Sequence, residues 1–407
     1  MKKFDIPQFY RSSFITQIKN SRNLKDPKKN DFQPTLLDCG SVRFYLARHF
    51  GFCYGVENAI EIAYQTVEKN RGKRIFLLSE MIHNPGVNED LRSLGVQFLM
   101  DTSGKQIVDW DNLDQQDIVI IPAFGTTLEI ENILNEKGIN PYQYNTTCPF
   151  VEKVWNRSAS LGNDNYTIII HGKHSHEETR ATFSHSNING KSIIIKNIAE
   201  AKVLGSIIIN ETDTDEFYKF FKGKFSSEFS AGSDLKKIGV VNQTTMLATE
   251  TQEIADYLKS VMINKYGIEN LKDHFADTRD TLCYATNDNQ EATYGLLKVK
   301  SNIAIVVGGY NSSNTGHIVK LCEEKLPTYF ISSDEKIQGH DEILHFDIRS
   351  KEEIITKNFI PNSDPINISL TSGASCPDSV VEAVLRKILS FYDNVRDIDE
   401  VVAEATS

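Results

Sequence analysis

Three of the six cysteines share a local setting. Cys53, Cys148 and Cys283 each lie in a short turn just before a helix-like stretch, at 56–64, 151–161 and 290–298. Thiolate sulfur suits zinc or iron–sulfur clusters. Structural zinc usually closes a tetrahedron of four protein ligands, and its cysteines arrive in close pairs such as C-x-x-C, which this chain lacks. Three solitary cysteines better match a cluster with three irons tied to protein and one left open as a Lewis acid. The competing reading is three unrelated buried thiols, the commonest fate of a free cysteine. Cys322 lies in the apolar helical run 318–326 and reads as core, while Cys39 and Cys376 show no partner pattern.

Polar loops follow each cysteine at a nearly constant interval of about 30 residues, one strand–helix–strand step. A β-prone run at 74–78 leads to His83, one at 166–170 to His176, and one at 303–307 to Ser312. Further strand-like runs at 117–121, 237–241 and 366–371 lead into Pro122-Ala-Phe-Gly-Thr-Thr127, Asn242-Gln-Thr-Thr245 and Ser372-Gly-Ala-Ser375. Ser312-Ser-Asn314 and Ser375 place hydroxyls and backbone N–H groups ahead of helical stretches, where phosphate binds readily. Plain helix capping is the alternative for each loop taken alone. No Walker or G-x-G-x-x-G fingerprint is present, so any phosphate is held by neutral donors. His174-Ser-His-Glu-Glu178 is the densest titratable cluster. It reads as a strand-to-loop junction in which His176 could donate to phosphate and Glu178 could move a proton. From an extended loop, Glu177 would point away from Glu178.

Apolar strands alternating with amphipathic stretches indicate parallel α/β units, whose ligands bind beyond the carboxyl ends of the strands. Strand-like runs precede Cys53 at 44–47 and Cys148 at 142–145, whereas the strand signal before Cys283 is weak. Three such units, each offering a cysteine and two polar loops, suggest three small domains sharing one site. Six cysteines in 407 residues are too scattered for a disulfide scaffold and point to a reducing compartment. No apolar run is long enough to span a membrane. Residues 1–30 carry eight basic side chains against Asp5 and Asp26, although the whole chain is at −11. That stretch reads as a solvated or docked arm and fits a transit peptide only in part. The acidic body argues against nucleic acid as a partner.

The series Gly51-Phe-Cys-Tyr-Gly-Val56, Ile82-His-Asn84, Thr147-Cys-Pro149, His176-Glu-Glu178, Asn242-Gln-Thr-Thr245, Cys283-Tyr-Ala-Thr286, Asn311-Ser-Ser-Asn314 and Gly373-Ala-Ser375 resembles the ordered motifs of the LytB family of hydroxymethylbutenyl diphosphate reductases. Pro122-Ala-Phe-Gly125 and the N-terminal arm resemble its plant and cyanobacterial branch. The resemblance implies an α/β fold, with three small domains in a pseudo-threefold trefoil around a central iron–sulfur site. The corresponding cuts are an arm at 1–41, domains at 54–148, 149–280 and 42–53 with 281–392, and a tail at 393–407. It further implies a [4Fe–4S] cluster on Cys53, Cys148 and Cys283, and a diphosphate held by His83, His176, Ser312, Ser313, Asn314 and Ser375. Glu178 would supply the proton, with Thr244 and Gln243 near the reacting hydroxyl. Many bacterial members carry His where this chain has Phe124, so the resemblance implies that one diphosphate donor is absent or replaced. With no nicotinamide or flavin fingerprint, electrons would come from a ferredoxin or flavodoxin. The expected location is the cytoplasm, or the plastid stroma if residues 1–40 are a targeting segment. A zinc-dependent hydrolase and a non-catalytic binder of a phosphorylated metabolite are the rival readings.

Overall fold

The computed structural model describes residues 4–210, 214–276 and 281–407. Lys2 and Lys3 of the basic arm, and the 280 end of the second expected domain, lie outside the described residues. Two compact units form: Met1–Glu57 with His83–Val87 and Tyr284–Ser407, and Asn58–Ile82 with Asn88–Cys283. Among the described residues no helix is long and apolar enough to cross a membrane.

The first unit is built on a five-stranded sheet, in the order Thr35–Asp38, Val42–Leu46, Ile366–Ser372, Ile303–Val307, Thr328–Ile331. The first pair is antiparallel and the other pairings are parallel. Ile303–Val307 is buried at every position, as expected of an apolar run covered on both faces of a parallel sheet. One cover is the helix Asp378–Leu389, which buries Val381, Val384, Leu385, Ile388 and Leu389, the three-and-four spacing of one helical face. Parallel pairing puts the loops after Val42–Leu46, Ile366–Ser372 and Ile303–Val307 at one sheet edge, where Cys53, Ser375 and Ser312 follow.

The N-terminal residues belong to this unit. Ser12 Oγ accepts from Ile15 N at 3.1 Å and starts the helix Ser13–Lys25, whose Phe14, Ile15 and Ile18 join the sheet's apolar core. The C-terminal helix Ile398–Thr406 contributes Ile398, Val401 and Val402 to the same core.

The second unit holds two parallel sheets. One runs Gln97–Phe98, Ile75–Leu77, Ile118–Ile120; the other runs Ser192–Ile195, Thr167–His171, Ile238–Asn242, Phe275–Ala276. Phe76, Val119 and Leu134 centre the smaller core. Ile169, Ile193, Val240, Phe217 and Phe221 centre the larger.

Two local expectations change. The run 142–145 is a turn, tied to the sheet only by an Ile121–Asn145 bridge. Asn140 Oδ1 accepts from Tyr142 N at 2.9 Å across Pro141, and such an Asx turn competes with strand extension. The second change is at His174–Glu178, where a helix, Glu177–Ser186, begins directly at Glu177. His176 caps it, with Nδ1 accepting from Glu178 N at 3.2 Å. Glu177 and Glu178 fill its first turn, where acidic side chains suit the positive end of the helix dipole.

Candidate functional site

Each of the three cysteines immediately precedes a helix: Tyr54–Lys69, Pro149–Asn163 and Tyr284–Leu296. N–H groups at a helix start favour thiolate over thiol. The other three are of a different kind. Cys39, Cys322 and Cys376 are wholly buried, and burial pushes their thiols up to about 11, 12 and 12. Such thiols stay protonated and inert. No cysteine forms a disulfide. Cys53 belongs to the first unit and Cys148 and Cys283 to the second. Among the described residues no three His, Cys, Asp or Glu side chains cluster closely enough to hold a metal ion. The donor chemistry nevertheless fits an iron–sulfur cluster: three half-buried or barely exposed thiols at helix starts, set apart from three core thiols.

In the first unit the loop backbones are tied together. Cys53 N donates to Ala374 O at 3.2 Å, Ala374 N donates to Asn314 Oδ1 at 2.9 Å, and Ser375 Oγ donates to His83 O at 3.1 Å. Gly309 lies directly on His83 O, where a Cβ would collide with that carbonyl. Thus Cys53, His83, Asn314 and Ser375 come together. Ser312 does cap the helix Ser313–Glu323, as the alternative reading held, but its oxygen accepts from both Thr315 N at 3.2 Å and Thr315 Oγ1 at 3.0 Å. With both lone pairs engaged, the hydroxyl proton is what Ser312 offers a ligand. Asn314 Nδ2 is buried with no hydrogen-bond partner, a donor whose desolvation a bound anion would offset. Ser313 is buried beside it.

In the second unit the loops carry titratable groups. Glu178 is buried, and its Oε1 accepts from Thr244 N at 2.5 Å. Because His176 Nδ1 accepts from Glu178 N, the neutral imidazole carries its proton on Nε2 and can donate there. Phe124 packs edge-on against His176, ring centres 5.7 Å apart. It braces the His176 ring. Gln243 is engaged internally: Oε1 accepts from Lys173 N and Thr179 Oγ1 at 3.2 and 3.1 Å, and Nε2 donates to Thr245 Oγ1 at 2.7 Å. Its part is to hold the Thr244 loop. Cys148 N donates to Ala123 O at 2.9 Å, and Ala123 N to Met81 O at 3.3 Å, so the loops of the smaller sheet position that turn.

Glu177 has a partner other than that of Glu178, as expected, but reaches it from a helical turn rather than an extended loop. It is buried and accepts from Ser79 Oγ at 2.5 Å, because the first helical turn points it into the protein. Also unforeseen were the carbonyls of Ala123 and Ala374, which hold two cysteine turns through backbone atoms that leave no trace in side-chain identity. Trp155 was missed as well. It stacks on His185 at 3.8 Å and donates to Thr182 Oγ1 at 3.2 Å, joining the Cys148 helix to the Glu178 helix.

A family model described as LytB protein matches residues 44–389. The 4-hydroxy-3-methylbut-2-enyl diphosphate reductase of Microcystis aeruginosa is 40% identical over 387 residues, covering 95% of this chain and 91% of that protein. The enzyme of the same name from Prochlorococcus marinus subsp. pastoris is 38% identical, covering 95% and 92%. Among solved structures, the E-1-hydroxy-2-methyl-but-2-enyl-4-diphosphate reductase of Plasmodium falciparum superposes with a TM-score of 0.61 at 21% identity, over 89% of this chain and 99% of that one. A structure of (E)-4-hydroxy-3-methyl-but-2-enyl diphosphate reductase gives 0.52 at 23% identity, over 85% and 99%. These two likenesses show the α/β fold.

Proposed function

The chain belongs to the LytB family, and from that premise we infer that it reduces (E)-4-hydroxy-3-methylbut-2-enyl diphosphate to isopentenyl and dimethylallyl diphosphate, the last step of the non-mevalonate isoprenoid pathway. It is an oxidoreductase. The observation that carries this is the near full-length identity to the named cyanobacterial reductases. The rival hydrolase and passive-binder readings draw no support from those relatives.

Overall, two electrons and two protons enter, the allylic C–O bond breaks, and the hydroxyl leaves as water. Cys53, Cys148 and Cys283 would hold a [4Fe–4S] cluster, which when bound delivers the electrons and offers one open iron as a Lewis acid.

The remaining work falls to this chain's side chains. Ser312, Ser313 and Asn314 at a helix start, with Ser375 and the His83 loop, would take the diphosphate with neutral donors. Ser375 Oγ, now donating to His83 O, would turn to the ligand. His176 would add the Nε2–H donor. Fixing the diphosphate sets where the hydroxymethyl end lies, which removes most of the orientational cost of reaction. Glu178 would protonate the departing oxygen, with Thr244 N holding its carboxylate in place and Gln243 bracing that loop. Hydroxide is a poor leaving group, and a positioned acid turns it into water.

Electrons would arrive from a ferredoxin or flavodoxin. We place the reaction in the cytoplasm. Phe4, Ile6, Tyr10, Phe14, Ile15 and Ile18 are buried in the folded unit, which speaks against removal of these residues as a targeting segment. The deciding experiment is anaerobic purification with metal analysis and turnover on dithionite-reduced dye. About four irons per chain and reduction of the substrate are expected; stoichiometric zinc, or no metal and no turnover, would overturn the reading.

A further inference from the structure

The N-terminal arm has no part in the reaction as set out above, yet its side chains converge on one place. Phe4 meets the ring of Tyr54 edge-on at 4.9 Å, and Tyr10 meets Phe52 edge-on at 5.7 Å. These two aromatic residues flank Cys53. Further along the arm, Lys19 lies over the Phe50 ring at 4.5 Å and pairs with Asp378 Oδ1 at 2.7 Å. The residue between, Gly51, has φ +80°, and a Cβ there would collide with Asp378 and come within 2.8 Å of Lys19 Nζ. Gly51 N donates to Ser372 Oγ at 3.1 Å. Every side chain of the Phe50–Tyr54 turn other than Gly51 and Cys53 itself therefore meets an arm residue.

Asp378 opens the helix Asp378–Leu389, directly after the loop that carries Ser375. The Lys19 ammonium thus ties the Cys53 turn to the helix behind the Ser375 loop. The arm's far end repeats the pattern. Lys29 pairs with Asp288 at 2.9 Å and lies over Tyr284 at 5.8 Å, the residue that follows Cys283. The arm is in turn held from outside by the C-terminal helix, with Gln17 Nε2 donating to Thr406 Oγ1 at 3.1 Å and Ser21 Oγ to Thr406 O at 2.9 Å.

We propose that the arm is a clamp on the Cys53 turn, with Phe4, Tyr10 and Lys19 as positioning residues that fix the turn in one conformation and restrict reagents from its thiol. The inference rests on the assignment of Cys53 as a cluster ligand. A turn whose flanking rings and backbone are pinned opens rarely, and a half-buried thiol inside it reacts faster the more often it opens. A lone Lys–Asp pair at a surface contributes little. This one is about three-quarters buried at the lysine and more at the aspartate and also sits on an aromatic face, where a cation is held more firmly.

The test is the rate of alkylation of Cys53 by iodoacetamide in the full-length chain stripped of iron, read by peptide mass spectrometry, with Cys148 in the same molecule as reference. Tyr10→Ala and Lys19→Met should each raise the Cys53 rate by about tenfold or more while Cys148 keeps its own. Lys19→Arg should restore the wild-type rate. Leu24→Ala, on the exposed side of the same helix, should not change it. Should Tyr10→Ala fold poorly, Lys19→Met removes a charge while keeping the stem and decides alone. An unchanged Cys53 rate, or a parallel rise at Cys148, would overturn the clamp. The iron-loaded wild-type protein separates the two ideas. Cys53 alkylated as fast there as in the stripped chain would refute the ligand assignment, whereas the comparison among stripped chains decides the arm regardless.

Discussion

In the first unit the loops beyond Ile303–Val307 and Ile366–Ser372 present hydroxyls, carboxamides and backbone N–H groups. In the second, the loops beyond Thr167–His171 and Ile238–Asn242 present an imidazole and a carboxylate hydrogen-bonded through the same short segment. The first set changes no charge between acid and neutral pH, and one of its donors, Asn314 Nδ2, is buried without a partner. The second set can exchange protons. A phosphate is held most evenly by donors that never titrate, whereas loss of a hydroxyl needs a group that does. On the proposed reading most diphosphate donors fall in the first unit, while the proton donor and one further diphosphate donor, His176, fall in the second, and mutagenesis can break that division.

The largest effect concerns the cysteines proposed as cluster ligands. Cys53→Ser, Cys148→Ser and Cys283→Ser should each lower iron content and abolish turnover, while Cys322→Ser keeps its iron and loses only some stability from a hydroxyl in the core. Iron analysis beside the turnover assay decides it. Iron dependence on Cys322, or iron retained without one of the three, would dismantle the ligand set.

Next comes the proton-transfer side. Glu178→Gln should retain iron and substrate affinity and lose roughly 10²–10⁴-fold in kcat. Glu177→Gln is its counterpart with a different readout. That side chain accepts from Ser79, so weakening the bond should lower Tm by about 2–4 °C, the shift expected from ~1 kcal/mol in a domain this large, and leave kcat near wild type. Equal losses of kcat in both variants would remove the special role of Glu178.

On the binding side, Ser312→Ala, Asn314→Ala and Ser375→Ala should each weaken substrate affinity by roughly 10- to 100-fold, from ~1.5–3 kcal/mol per hydrogen bond to a charged acceptor. Iron content should not change, and kcat at saturation should fall far less than in Glu178→Gln. Titration calorimetry with substrate on oxidised protein measures it. If all three bind normally, these loops return to being ordinary helix caps.

The smallest effect is a pH dependence of stability from the second unit. His171 is wholly buried, its Nδ1 lies 2.9 Å from Thr251 Oγ1, and burial pushes it down from 6.5 to about 4. It is neutral in the fold, while in the unfolded chain it takes up a proton near 6.5. Its contribution is therefore complete above that value and is lost as pH falls toward 4. Tm should drop between about pH 7 and about pH 5, and His171→Asn should make the drop shallower. Equal slopes in the two proteins would exclude this histidine as a source of acid sensitivity.

The α/β class, the helices that follow Cys53, Cys148 and Cys283 and the loops after each strand were legible in the sequence. Buried parallel strands show as uninterrupted apolar runs such as Ile168-Ile-Ile170 and Ile303-Ala-Ile-Val-Val307, and turn chemistry marks where they end. Helix starts were harder to place. His176 acts as a cap through a ring nitrogen, a signal far weaker than Ser or Asp, and so Glu177 was expected in an extended loop rather than in a helix's first turn. Tertiary structure alone decided which thiols are inert, because burial by distant segments is what raises Cys39 and Cys376. It also decided what the arm does. Phe4, Tyr10 and Lys19 lie 31 to 50 residues in the sequence from the turn residues they touch, and no local pattern specifies a contact made only when the chain folds back on itself.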